Sequence, residues 1–157
     1  MIEETCGVES LVARGDVVFA EGNTLEEIFT SVCNKAELPE GIKAADLVKE
    51  LLEREMVLST AVGNGIAIPH PRRPLVKNSD DCRVIVAYLN EPLDMQAPDF
   101  RKVYAMFILL SASSQIHIKS LSSLAAIFRK DGFKKALQSR PGKAELIELL
   151  QQYESAN

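Results

Sequence analysis

The chain contains no tryptophan, two histidines and only three cysteines among its 157 residues. Cys6, Cys33 and Cys82 have no short spacing between them, which argues against a disulfide framework and against a CxxC metal motif. We therefore expect reduced, mostly buried thiols. Because no cluster of His, Asp and Glu at ligand spacing accompanies the two histidines, the sequence predicts neither a bound metal nor a cofactor.

A long apolar run and a basic patch are also missing. The longest apolar run ends at Leu110 and is far shorter than the roughly 20 residues that a membrane helix needs. The amino terminus is acidic and lacks the apolar core of a signal peptide. The formal net charge is −4, and the densest basic groups are the pairs Arg72-Arg73 and Lys134-Lys135. We therefore expect a cytoplasmic protein with no direct membrane insertion and no nucleic-acid partner.

Length and composition predict one globular domain. A chain of 157 residues with 46% hydrophobic content can bury a substantial core. No linker, repeat or low-complexity tract divides it, so we predict a single domain over residues 1–157. Residues 1–15 show no clear periodicity, which is typical of an irregular lead-in.

Local patterns alternate between strand and helix. Val84–Leu89 and Val103–Leu110 are nearly continuous apolar runs, as in strands covered on both faces. The loop between them is too short for a helical crossover, so we expect them to be antiparallel if they pair. The pattern predicts an α/β layered domain with a mixed, mostly buried sheet. The expected elements are a strand at 17–20, helices at 25–36 and 43–55, strands at 66–68, 84–89 and 103–110, and helices at 114–130, at 131–138 and after 142.

Capping residues indicate where several of these helices begin. Thr24 with Glu27 forms a capping-box pattern. Ser113 or Ser114 can cap the helix at 114–130, whose inward face we expect to include Ile118, and Asp131 can cap the short helix that follows.

The segment Gly63–Arg72 places His70 between Pro69 and Pro71, directly after a short apolar run and a turn with two glycines. Pro71 biases His70 away from helical backbone, so the imidazole is presented from a stiff, extended chain. A neutral imidazole offers a nucleophilic nitrogen near physiological pH, which makes His70 a candidate phosphoryl acceptor. The same residues are also compatible with a plain surface turn.

Arg54 is a second candidate. It follows Leu47 and Leu51 at helical spacing and lies in the last turn of the helix at 43–55. From there its planar guanidinium could reach a phosphoryl group. It could equally complement the dipole at the carboxyl end of that helix.

His117 is a third candidate, in the first turn of the helix at 114–130. A helix amino terminus favours phosphate and a neutral imidazole, so His117 could donate to a phosphoryl group on His70, or could be satisfied locally. Two imidazoles and a guanidinium suit phosphoryl transfer, in which catalysis is largely positioning and charge neutralisation. The sequence has neither a Walker motif nor GxGxxG, so a phosphorylated protein rather than ATP is the expected donor.

At these residues the chain resembles the enzyme IIA domains of the bacterial phosphoenolpyruvate:sugar phosphotransferase system, mannitol/fructose type, and within it the nitrogen-regulatory branch. The resemblance covers roughly residues 16–152. Three segments depart from the family pattern, namely Pro71, Met56–Leu58 in place of small residues, and Leu110–Ser113, which lacks a common proline. The matching motifs are Glu53–Glu55, Ser59-Thr60, Gly63–His70, Pro92–Asp94, Ala97–Asp99 and His117–Leu121.

The resemblance implies that His70 accepts a phosphoryl group, on Nε2, from the histidine phosphocarrier protein. It implies that His117 and Arg54 stabilise the phosphorylated state. It also implies a mixed sheet of about five strands flanked by helices.

The resemblance leaves two roles open. Because no linker leads to an enzyme IIB or membrane segment, we expect a stand-alone regulatory enzyme IIA whose phosphorylation controls partner binding. The alternative is a sugar-transport enzyme IIA that donates phosphate to enzyme IIB. A metal-dependent hydrolase using His70 and His117 is a remote alternative, since no ligand cluster accompanies them.

Overall fold

A five-stranded mixed sheet forms the centre of the part of the chain that the computed structural model describes, residues 7–155. The strands are β1 (Asp16–Ala20), β2 (Ala61–Gly63), β3 (Ile66–Ala67), β4 (Arg83–Leu93) and β5 (Val103–Leu110). Their order across the sheet is β1-β4-β5-β3-β2. β1 is parallel to β4 and β3 to β5, whereas the β4–β5 and β2–β3 pairs are antiparallel. The expected mixed sheet and antiparallel pair of long strands are confirmed.

Helices flank this sheet. They are α1 (Val8–Arg14), α2 (Leu25–Lys35), α3 (Ala44–Val57), α4 (Ser114–Phe128), α5 (Asp131–Leu137) and α6 (Lys143–Ser155), with a 3-10 turn at Ser79–Asp81. α2 packs on α3 and β1, while α1 packs on β4 and α6, and α4 contacts α5 and α6. Residues 84–89 of β4 and 105–110 of β5 are all buried, as expected for central strands. Among the described residues, no helix is both long and apolar enough to cross a membrane.

The irregular lead-in expected for residues 1–15 is wrong for the described part of that range. Residues 8–14 form α1, which buries Val8, Leu11 and Val12. This apolar stripe spans only two turns, so periodicity was too short to indicate it, and packing on β4 and α6 stabilises it instead. Residues 1–6, including Cys6, lie outside the described residues. Cys33 and Cys82 are both buried, as expected.

α4 begins as expected but faces differently. Ser113 is its N-cap, with Oγ accepting from the Ile116 N–H at 3.1 Å. The expectation that Ile118 faces inward is wrong, since this side chain is 66% exposed. Leu124 and Ile127 on the inward face are buried instead. The helix rotation is decided by its contacts with α5 and α6, which local apolar spacing does not specify.

The expectation that Asp131 caps α5 is also wrong. The N-cap is Lys130, whose backbone is extended, and Asp131 is the first helical residue. The Asp131 carboxylate instead pairs with Lys134 Nζ at 3.2 Å, one turn along the helix.

A carboxyl pair joins α1 to α6. Glu154 Oε2 accepts from the Val8 N–H at 3.1 Å. Burial and a hydrogen bond to Glu9 raise the pKa of Glu154 from 4.5 to about 7. The folded chain therefore keeps a proton that the unfolded chain loses at lower pH. The stabilising effect of the Glu154 carboxyl group is fully present below pH 4.5 and is lost as the pH rises through about 7.

We expect Glu154→Gln to remove part of this pH dependence, because glutamine keeps an acceptor for the Val8 N–H without ionising. In urea unfolding between pH 4.5 and 7, the wild type should lose stability relative to the variant as the pH rises. Glu148→Gln, at an exposed position of the same helix, is the matched control and should follow the wild type. Parallel curves for wild type and Glu154→Gln would contradict this role of Glu154.

Candidate active site

The backbone that precedes His70 is anchored on both sides. The Pro69 carbonyl accepts from the Leu109 N–H of β5 at 2.9 Å. The Ile68 N–H donates to the Thr60 carbonyl at 3.0 Å. Every peptide bond within residues 7–155 is trans. The His70 ring is thus presented, half-buried, from a chain segment tied to the central sheet.

The turn before β3 requires its glycines. Gly63, Asn64 and Gly65 all have positive φ, at 97°, 58° and 81°. A side chain at Gly65 would place its Cβ 2.6 Å from the Tyr104 ring. The Asn64 N–H donates to Asp99 Oδ2 at 2.7 Å, which holds the turn from a distant loop. The turn therefore positions β3, and with it the segment that carries His70.

Hydrogen bonding determines the tautomer of His70. Its Nδ1 lies 2.8 Å from the Ile68 carbonyl oxygen. A carbonyl only accepts, so Nδ1 carries the proton, and the lone pair of the neutral ring is on Nε2. Burial lowers the pKa of His70 below 6.5, although the Ile68 bond opposes this. At neutral pH the ring therefore has a free, nucleophilic Nε2.

His117 lies directly against His70. The two ring centroids are 4.5 Å apart in an edge-on arrangement, with an interplanar angle of 61°. Burial, followed by the charges of His70 and Arg54, lowers the pKa of His117 to about 4. The backbone N–H of His117 donates to the Ser113 carbonyl at 3.0 Å, in the first turn of α4. Two neutral imidazoles thus share one site at pH 7.

Arg54 lies in the last turn of α3. Its positive charge contributes to lowering the pKa of His70 and of His117, so the guanidinium is within electrostatic range of both rings. Its Nη1 also donates to the carbonyl of Leu58, the C-cap of α3, at 2.7 Å. The structure therefore brings the two imidazole rings together, with the charge of Arg54 within electrostatic range of both, and Arg54 caps its helix as well.

Glu55 and Thr60 support the site, although neither residue stood out from the sequence as a candidate for the chemistry. Glu55 Oε2 accepts from the Thr60 N–H at 2.7 Å, and Oε1 accepts from the Thr60 hydroxyl at 2.8 Å. Since Thr60 also binds Ile68, these contacts connect the end of α3 to the His70 segment. The Glu-Arg-Glu and Ser-Thr motifs were the only sequence signal for this arrangement.

An apolar rim, defined as Met56, Val57, Leu58 and Ile118, is adjacent in the chain to Arg54 and His117. These side chains are 86%, 68%, 69% and 66% exposed. Large exposed apolar groups near a polar site are typical of a protein-docking surface. In the described part of the chain, no three His, Cys, Asp or Glu side chains are grouped to hold a metal ion.

Known proteins are similar to this chain in sequence and in fold. The nitrogen regulatory protein of Pseudomonas aeruginosa is 29% identical over 148 residues, which is 91% of this chain and 94% of that protein. The crystal structure of nitrogen regulatory protein IIA-Ntr from Neisseria meningitidis matches with a TM-score of 0.70 and 26% identity, over 85% of this chain and 91% of that chain.

A third similarity concerns the fold alone. An NMR structure of the complex of enzyme IIA and phosphorylated enzyme IIB for mannitol from Escherichia coli matches with a TM-score of 0.62 and 19% identity, over 86% of this chain and 94% of that chain.

The family model for the EIIA 2 component of the phosphoenolpyruvate-dependent sugar phosphotransferase system matches residues 12–153. The chain therefore belongs to the EIIA type 2 family of this phosphotransferase system.

Proposed function

We propose that His70 Nε2 accepts a phosphoryl group from the phosphorylated histidine phosphocarrier protein, and that the chain acts as a regulator whose phosphorylation state selects its partner. One observation carries the proposal. The Ile68 carbonyl accepts a hydrogen bond from the protonated Nδ1 of a neutral His70, which leaves the lone pair of Nε2 available beside the His117 ring. A nucleophile prepared in this way needs no separate base.

The transfer step needs little further chemistry. The donor's phosphorus–nitrogen bond breaks as a bond forms between phosphorus and His70 Nε2. The electron pair of the broken bond stays on the donor nitrogen, so a donor ring that is protonated on its other nitrogen leaves as neutral imidazole, while His70 keeps its Nδ1 proton. Charge on the moving PO₃ unit lies on its oxygens, where positioned N–H donors act. His117 and Arg54 supply such donors from α4 and α3.

The apolar rim supports a protein as donor and as partner. Docking there would cover Met56, Val57, Leu58 and Ile118, all of which are otherwise in water. Phosphorylation of His70 adds about 1.5 to 2 negative charges beside this rim. A partner that buries the rim would then meet a charge that it must neutralise or avoid, so its affinity depends on phosphorylation.

Relatives favour the regulatory role over sugar transport. Nitrogen regulatory proteins match most of the chain at 29% and 26% identity. The mannitol IIA–IIB complex is similar in fold only, at 19% identity, yet it keeps phosphate donation to an enzyme IIB as the alternative.

The test is a labelled relay with phosphoenolpyruvate, enzyme I and the phosphocarrier protein. We expect one acid-labile, base-stable phosphate per chain, because a phosphorus–nitrogen bond hydrolyses in acid. The purified, labelled chain is then mixed with each enzyme IIB of the host. Retained label supports the regulatory role, whereas rapid transfer to one enzyme IIB supports the transport alternative. Absence of label would contradict the acceptor role itself.

A further inference from the structure

A small cavity lies beside His117. Its volume is about 40 Å³, and its lining includes Arg72, Arg73, Ser111, Ser114 and His117. A single water needs roughly 10–15 Å³ of such space, so the cavity can hold a ligand of a few heavy atoms but not a nucleotide. His70 and Arg54 are not among its lining residues, whereas Pro71 and His117 are, so the cavity adjoins the His70 site without including the His70 ring.

Ser111 gives this cavity an unsatisfied polar group. The residue is only 4% exposed, and its Oγ is the one buried side-chain oxygen or nitrogen of the described residues that lacks a hydrogen-bond partner. Burying an unpaired hydroxyl is unfavourable, and such groups in native proteins usually face a water, an ion or a ligand. Ser111 follows β5 directly, in the segment that departs from the family's sequence pattern.

The remaining walls of the cavity favour negative charge. Ser114 is the first residue of α4, a helix of 15 residues. Ser113 Oγ caps the Ile116 N–H, which leaves the N–H groups of Ser114 and Gln115 without an intrahelical partner. Such a helix terminus attracts oxyanions.

Two arginines add formal positive charge to these walls. Arg72 and Arg73 are exposed at the cavity. Arg73 Nη2 is also 3.3 Å from Glu50 Oε2, an ion pair at the surface. Arg72 is not part of this ion pair. Because its side chain has a flexible stem, its guanidinium can reach an anion inside the cavity while Arg73 stays paired with Glu50.

We propose that this cavity is a binding site for a small tetrahedral oxyanion, orthophosphate, held by the Ser111 hydroxyl, the first N–H groups of α4 and Arg72. The binding does not depend on phosphorylation of His70. Its consequence rests on the proposed function: an anion beside His117 favours the protonated ring, a stronger donor to a phosphoryl group on His70. Free phosphate would thereby stabilise the phosphorylated chain.

The test titrates sodium orthophosphate, at constant ionic strength, into the unphosphorylated wild type and His70→Ala. The readout is the NMR shift of the Ser114 and Gln115 amides and of the His117 ring nitrogens. We expect saturable shifts in both proteins, because His70 does not line the cavity. Loss of binding in His70→Ala would overturn the proposal by assigning the anion to the His70 site. Loss of relay labelling alone would count only against the proposed function.

Substitutions of cavity residues test where the anion binds. Ser111→Ala and Arg72→Gln should each weaken binding about tenfold, since each removes a hydrogen bond to a charged ligand. Arg129→Gln, which removes the same charge at the other end of α4, should bind like the wild type. Ser111→Ala should fold normally, because its hydroxyl has no partner to lose. Unchanged binding in both cavity variants, or shifts reproduced by sodium chloride, would contradict the proposal.

A second ligand distinguishes free orthophosphate from a phosphomonoester as the bound species. Glycerol phosphate has the same charged group but is too large for a cavity of about 40 Å³. We expect it to bind at least tenfold more weakly than orthophosphate. Equal binding of both would overturn the assignment to the free ion and indicate a phosphomonoester as ligand.

Discussion

Replacing His70 with alanine is expected to abolish phosphorylation of the chain in the relay with phosphoenolpyruvate, enzyme I and the phosphocarrier protein. The reason is the tautomer: Nδ1 is bonded to the Ile68 carbonyl at 2.8 Å, so Nε2 of this ring is the available nucleophile. Incorporation of label should fall from one phosphate per chain to background. The measurement is the stoichiometry of acid-labile label on the purified protein.

His117→Ala is the matched control for this loss, because it removes the only other histidine of the chain. We expect it to accept label, which would show that the loss in His70→Ala is specific. Far-UV circular dichroism and urea unfolding check that both variants fold. Full labelling of a folded His70→Ala would disprove the assignment and leave His117 as the acceptor to test.

The rate at which phosphorylated His117→Ala gives up its phosphoryl group is expected to show the second largest effect. The His117 ring is 4.5 Å from that of His70 and neutral at pH 7, with a pKa of about 4, so an N–H of this ring can donate to the phosphoryl oxygens. Removing one such donor typically lowers a rate by about 10²–10³. We expect the rate of phosphoryl return to the phosphocarrier protein to fall by about 100-fold.

A rapid-quench measurement of label leaving the phosphorylated variant tests this directly. His117→Asn keeps an N–H donor at the same position and should recover part of the rate, which a purely structural role would not predict. If His117→Ala returned its phosphoryl group at the wild-type rate, the stabilising role of His117 would be wrong.

Some of the candidate site could be predicted because its signals are local. The prolines around His70, the glycines of the Gly63–Gly65 turn and the N-cap Ser113 each act on their own backbone. The same is true of the continuous apolar run in β5, which indicates a buried central strand. Such patterns operate within a few residues, so they can be read without knowing the neighbours.

Other supports of the site were missed because they join separate elements of the fold. Asp99 holds the turn at Asn64, and Glu55 holds Thr60, which in turn binds Ile68. No periodicity or spacing rule connects these positions. Only their presence in the family motifs marked them, and the motifs do not say what they bind.

By itself the sequence determined most of the kinds of element and the family, and it supplied the three candidate groups, His70, His117 and Arg54. The tertiary structure alone decided that the two imidazole rings meet at 4.5 Å, that Ile118 faces water, and that Val8–Arg14 is a helix. The physical reason is that local backbone preferences select helices and strands, whereas distances between them depend on burying the faces of one shared sheet.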